Sequence, residues 1–168
     1  MKKSNIVLIG MPGVGKSTVG VVLAKVLGYQ FIDADLVIQE KEKKLLCEII
    51  AEVGAEGFIE VENRINSEIM AEHAIIATGG SVVYGTEAMA HLKEIGTVIY
   101  LKLPYDTLEK RLNDIRGRGV VLKEGQTLRG LYEERVSLYE KYADIIVDEN
   151  QLNVEETIDK ILELKDRF

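Results

Sequence analysis

One cysteine, Cys47, stands in 168 residues. That excludes an internal disulfide and fits a reducing cytoplasm. No apolar run approaches the roughly 20 residues needed to span a bilayer. Met1-Lys2-Lys3-Ser4 is too short for a leader and runs straight into the first apolar segment, so a cytoplasmic chain without a signal peptide is expected. There is no linker, repeat or low-complexity stretch. Basic charge is in deficit: the net charge of −7 argues against a nucleic-acid duplex or an anionic membrane as the main partner. Histidine is scarce too. His73 and His91 build no metal site, and both read as surface residues. Cys47, among Leu46, Ile49 and Ile50, reads as a small buried hydrophobe. The length suits one domain over residues 1–168 with a full core, and 46% hydrophobic with 29% charged residues is ordinary for a globular chain.

What the sequence does have is Gly10-Met11-Pro12-Gly13-Val14-Gly15-Lys16-Ser17-Thr18, a complete G-x-x-x-x-G-K-[ST] phosphate-binding loop. Ile6-Val7-Leu8-Ile9 before it reads as a buried parallel strand, and Val19 to Leu27 after it carries apolar residues at helical spacing. The glycines let the backbone curl so that N–H groups point at phosphate oxygens. The helix beginning near Lys16 adds its positive end. Lys16 brings a mobile charge to the outer phosphates, and the Ser17 hydroxyl is placed to ligate magnesium.

Gly28 caps that helix, and Tyr29 to Asp33 reads as a second strand. Asp33 and Asp35 point to one side if strand geometry persists, beside the loop at the carboxyl end of the sheet. One can help hold hydrated magnesium and the other can accept a hydrogen bond or proton from a substrate hydroxyl; helix capping is the alternative for either. Residues 36–72 read as helices over Leu36–Glu40, Leu45–Val53 and Ala55–Ala71, broken at Gly54. Phe58, Val61, Ile65 and Ile69 form the core stripe of the last, and Ile59 lies off it among Glu62, Asn63 and Asn66. Ala74–Ala77 is a third strand ending in Thr78-Gly79-Gly80-Ser81, either a close backbone approach to a ligand or a plain tight turn. Glu87–Glu94 is a helix, Thr97–Leu101 a fourth strand, and Pro104 opens the next helix. Arg116-Gly117-Arg118-Gly119 looks like a lid able to close on phosphates. A helix from about Thr127 to Tyr142 carries Arg135, Asp144–Asp148 is a fifth strand, and Asn153 with Glu156 caps the last helix. Lys102–Arg135 holds eight basic and six acidic residues, a basic island in an acidic chain that suits a polyphosphate. Lys110, Lys123 and Arg129 fit a merely solvated face. Strands alternating with helices predict a three-layer α/β/α fold around a five-stranded parallel sheet.

The whole resembles shikimate kinase, a small family of P-loop kinases related to nucleoside monophosphate kinases. Gly10–Thr18, Phe31-Ile32-Asp33-Ala34-Asp35, Gly54 to Glu62, Ala77-Thr78-Gly79-Gly80, the Arg118 lid and Arg135-Val136-Ser137-Leu138-Tyr139 carry the resemblance. It implies sheet order 2-3-1-4-5, substrate-binding helices at about 34–72 and a lid at about 113–125. It implies ATP and magnesium as cofactors, and conversion of shikimate to shikimate 3-phosphate in aromatic amino-acid biosynthesis. Gly13, Val14, Gly15, Lys16, Ser17 and Thr18 would hold the phosphates, and Ser17 and Asp33 the magnesium. Arg111 would stack on the adenine and Arg118 would reach the phosphates from the lid. Asp35 would bind the attacking hydroxyl, Gly79 and Gly80 would touch the substrate ring, and Arg135 would pair with its carboxylate. Catalysis would rest on Lys16, Asp35 and Arg118. The partner is a small molecule, with no nucleic acid and no membrane, and the chain is expected to be a monomer.

Two positions depart from the family pattern. Its F-R-x-x-E is Phe58-Ile59-Glu60-Val61-Glu62 here, so a second carboxylate-binding arginine is Ile59, and its third glycine is Ser81. Arg64 lies about 140° round the helix from Ile59 and does not simply replace it. Losing one charged hydrogen bond costs about 1.5–3 kcal/mol. The departures leave open another hydroxy acid, sugar or nucleotide as acceptor, or a nucleotide-binding regulator with little catalysis.

Overall fold

The computed structural model describes residues 3–114 and 122–168. Five strands are seen, β1 (Asn5–Ile9), β2 (Gln30–Asp33), β3 (Ala74–Ala77), β4 (Gly96–Lys102) and β5 (Ile145–Asp148). Seven helices accompany them among the described residues: α1 (Lys16–Leu27), α2 (Ala34–Glu42), α3 (Leu46–Ser67), α4 (Thr86–Ile95), α5 (Tyr105–Asp114), α6 (Leu128–Tyr142) and α7 (Val154–Glu163). The strands pair in parallel in the order β2-β3-β1-β4-β5. Central β1 is buried along its whole length, with Val7 between Ile76 of β3 and Val98 of β4. That is why Ile6-Val7-Leu8-Ile9 is continuously apolar rather than alternating: both faces of a parallel sheet are covered. The sheet core is closed by Tyr100 and Tyr139, whose rings lie 5.0 Å apart.

A second, smaller cluster sits between α2 and α3, built from Ile38, Ile49, Phe58 and Ile65. It matches the core stripe read from the sequence at Phe58 and Ile65. Gly54 interrupts α3 with φ 75 and ψ 175, a backbone that L side chains rarely adopt. Cys47 corrects an expectation: it is exposed, not buried. It lies two residues from buried Ile49, hence about 160° away on the opposite face of α3. His91 also differs from a bare surface residue, because its Nε2 is 2.7 Å from the Ile69 carbonyl.

At the amino-terminal rim of the sheet, buried Asn5 is fully used. Its Nδ2 donates to the carbonyls of Ala71 (2.7 Å) and Ile95 (2.9 Å), and its Oδ1 accepts from the Ala74 N–H (3.0 Å). The amide thus ties the start of β1 to the chain entering β3 and the end of α4. The opposite rim, where all five strands end, carries the loops described next. Among the described residues, no helix is long and apolar enough to cross a membrane.

Candidate active site

The loop between β1 and α1 is shaped by its glycines. A Cβ on Gly10 would come within 2.7 Å of the Leu101 carbonyl, and Gly15, at φ 93, turns the chain into α1 in the left-handed region. Lys16 is buried and folds back over this loop, its Nζ donating to the carbonyls of Gly10 (2.7 Å) and Met11 (2.9 Å). The Lys16 ammonium and the amino terminus of α1 therefore converge on one concavity. Val14 is buried beneath it and Thr18 is exposed. Arg111, on α5, reaches the loop with its Nη1 3.4 Å from the Gly13 carbonyl.

The Ser17 hydroxyl donates to Asp33 Oδ2 across 3.4 Å. Asp33 Oδ1 also caps α2, accepting from the N–H groups of Asp35 (2.9 Å) and Leu36 (3.4 Å). The strand pattern does not run on through both aspartates, because the helix begins at Ala34. Asp33 stays beside the loop and Asp35 turns into a neighbouring cavity. A hydroxyl and a carboxylate are hard oxygen donors. Among the described residues no group of three or more His, Cys, Asp or Glu forms a metal cage. That fits magnesium, which takes one or two protein oxygens and completes its shell with phosphates and water.

The cavity has a volume of about 160 Å³. A cavity of about 150 Å³ holds one benzene ring, so this one has room for a single-ring ligand. Ile50, Phe58 and Ile59 supply an apolar wall, and Asp35, Glu62, Gly79, Gly80, Arg135 and Lys123 supply polar contacts. Gly79 and Gly80 sit in close approach to the side chains of the cavity. A Cβ on Gly79 would lie 2.5 Å from Glu62 Oε1 and 3.0 Å from Asp35 Oδ1, and one on Gly80 would lie 2.7 Å from Pro12 Cδ and 2.9 Å from Arg135 Nη1. Tyr139 fixes this turn by donating to the Gly80 carbonyl at 2.6 Å. Arg135 is buried, its guanidinium carbon 5.5 Å from the centre of the Tyr84 ring, and its Nε has no hydrogen-bond partner among the described residues. Arg64 is elsewhere, paired with Glu42 at 2.6 Å on the surface. Arg116 and Arg118 lie outside the described residues.

Three residues here were given no site role by sequence reading. Glu62 is buried, accepts from the Ser81 hydroxyl through Oε2, and leaves Oε1 without a partner. Burial, aided by the nearby Asp35 charge, pushes its carboxyl from the ordinary 4.5 up to about 7. This corrects the polar face read around Ile59, since Glu62 and Asn66 are both buried there; Glu62 lies i+4 from Phe58 and i−3 from Ile65. Lys123, read as solvated, is exposed but lines the cavity. Glu149, just after β5, is buried with Oε2 unpartnered, and burial lifts its carboxyl to about 7 against the pull of Arg111.

Buried carboxyls of this kind link folding to protons. Between pH 4.5 and about 7 the folded Glu62 keeps a proton that the unfolded chain has lost. Stability of the ligand-free protein therefore falls as pH rises through that window, by up to about 3 kcal/mol for this group. Urea unfolding at pH 5 and pH 8 measures it. Glu62→Gln, which imitates the protonated acid, should shrink the loss, leaving the share due to Glu149; an unchanged pH slope would remove Glu62 from the account.

A lysine-bearing glycine loop opening a helix, at the carboxyl end of a 2-3-1-4-5 parallel sheet, defines a P-loop kinase. Comparison with known proteins narrows this. The shikimate kinase family model matches residues 12–165. A shikimate kinase of Clostridium botulinum (strain Eklund 17B) is 40% identical over 162 residues, 95% of each chain. Among solved structures, shikimate kinase from Acinetobacter baumannii in complex with shikimate is 31% identical with a TM-score of 0.86, covering 99% of this chain and 94% of that one. Shikimate kinase from Aquifex aeolicus is 31% identical with a TM-score of 0.78, covering 97% and 96%. The chain belongs to the shikimate kinase family. It is a phosphotransferase acting on a hydroxyl, with ATP and magnesium as its cofactors.

Proposed function

We propose that this chain phosphorylates shikimate. The observation that carries the reading is the cavity itself. It is sized for one ring, with the Asp35 carboxylate for a hydroxyl and the buried, incompletely bonded Arg135 guanidinium for a carboxylate. The Acinetobacter relative solved with shikimate supports the same acceptor.

In this reading Gly13, Val14, Gly15, Lys16, Ser17 and Thr18 hold the ATP phosphates, and Ser17 with Asp33 holds magnesium. ATP and its metal supply the transferable phosphoryl group and neutralise charge on it. Arg111, already against Gly13, lies beside the adenine. Arg118 acts on the phosphates. Asp35 receives the proton of the acceptor hydroxyl and orients its oxygen toward the loop. Gly79 and Gly80 let the ring approach the backbone, and Arg135 binds its carboxylate, fixing the hydroxyl by the far end of the molecule. The helices at about 34–72 form the acceptor side; the lid expected at about 113–125 falls mostly outside the described residues.

Magnesium-dependent ADP release from ATP, with and without shikimate, tests this. Strong stimulation at sub-millimolar shikimate is expected. The apolar wall at Ile59 favours a second reading, an acceptor with less charge at that edge. Stimulation by another hydroxy acid or sugar but not by shikimate would select it. ATP binding with no acceptor-stimulated release would point to a nucleotide-binding regulator instead.

A further inference from the structure

We infer that Lys123 is a second anion-binding group of the acceptor cavity, acting with Arg135 on the acceptor's carboxylate. The inference rests on the acceptor reading above and adds a residue to it.

The charges around the cavity are sorted by element. Asp35 and Glu62 enter from α2 and α3, whereas Arg135 and Lys123 enter from α6 and the turn before it. Phe58 and Ile59 make the intervening α3 wall apolar, so that wall offers an acid no cation. An acid with a hydroxyl can then bind in only one direction, its anionic end toward Arg135 and Lys123. A carboxylate has about four lone-pair sites. One guanidinium edge occupies two at most, which leaves the rest for an ammonium.

The main chain at Lys123 is fixed at the edge of the cavity. Its N–H donates to Gln126 Oε1 at 3.2 Å, and its carbonyl accepts from the Gln126 N–H at 3.0 Å. Gly125, at φ 74, completes the turn. Thr127 follows at once and caps α6, accepting from the Gly130 N–H at 3.0 Å. The main chain of this turn is thus anchored to the helix that carries Arg135. Lys123 forms no ion pair among the described residues, whereas Lys102 and Lys93 are each held by a carboxylate.

The test is steady-state kinetics of wild type, Lys123→Met and Lys123→Arg with shikimate and with its uncharged carboxamide. Wild-type turnover of shikimate comes first, and its absence overturns the acceptor reading itself. With turnover present, Lys123→Met should raise KM for shikimate about tenfold, with kcat and KM for ATP changed less than about twofold. Lys123→Arg should restore most of the affinity, and the carboxamide should show no methionine penalty. Lys123 is exposed, so an unchanged melting temperature should accompany the variant. An unchanged KM for shikimate in Lys123→Met overturns the inference. So does an equal rise for the carboxamide, which would mean packing rather than charge.

Discussion

Lys16→Ala is expected to lower kcat on the order of 10³-fold or more while the protein still folds. The reason lies in how the ammonium is held. It is buried, and two of its protons point at the Gly10 and Met11 carbonyls at 2.7 and 2.9 Å. The charge therefore stands ready at the concavity, with little reorganisation left when phosphates arrive. Alanine is a good first-turn helix residue, so α1 persists. Two loop carbonyls lose a donor, at a cost of about 1–3 kcal/mol before water replaces it. Single-turnover kinetics with a thermal melt separates the effects, and near-normal turnover by a folded variant would rule out the P-loop mechanism.

Asp35→Asn should cut kcat by about 10²–10⁴-fold, the usual contribution of a positioned general base, with KM for ATP nearly unchanged. The substitution leaves the helix cap in place. Asp33, not Asp35, caps α2, so asparagine at 35 removes no cap. It does remove a negative charge beside Glu62, and Glu62 should then release its proton at lower pH. A pH–rate profile of the residual activity would show that shift. If kcat survives intact, Asp35 is only an acidic residue in a helical first turn.

These residues also show how much could be read from the chain. The sheet, its flanking helices and the glycine loop were legible, because hydrophobic period and glycine spacing are local properties. Sheet order came through the family resemblance, since nothing local sets which strand lies beside which. The Asp33–Asp35 pair was located but not resolved. Whether the chain continues as strand or turns helical at Ala34 is decided by the Asp33 carboxylate capping α2. Cys47 was misplaced because its apolar neighbours in sequence point to the other side of α3. Glu62 was read on the polar side of its helix with Ile59, and a carboxylate there looks solvated until Ser81 and Gly79 are brought against it from the end of β3. Lys123 and Glu149 carried no local mark, being recruited by tertiary placement alone.

The two rims of the sheet differ in how far their polar atoms are contented. At the amino-terminal rim, Asn5 makes every bond its amide is geometrically offered there, and the chain is tied off. At the carboxyl rim, Glu62 Oε1, Arg135 Nε and Glu149 Oε2 are buried without partners among the described residues. Such atoms are locally frustrated: the fold holds them where protein alone does not satisfy them. Asn66 Oδ1 on α3 shares that condition, but Glu62 and Arg135 line the cavity itself. Asn5 supplies cohesion where β1 begins, and the cavity beyond the strand ends keeps unmet hydrogen-bonding capacity in reserve for whatever enters.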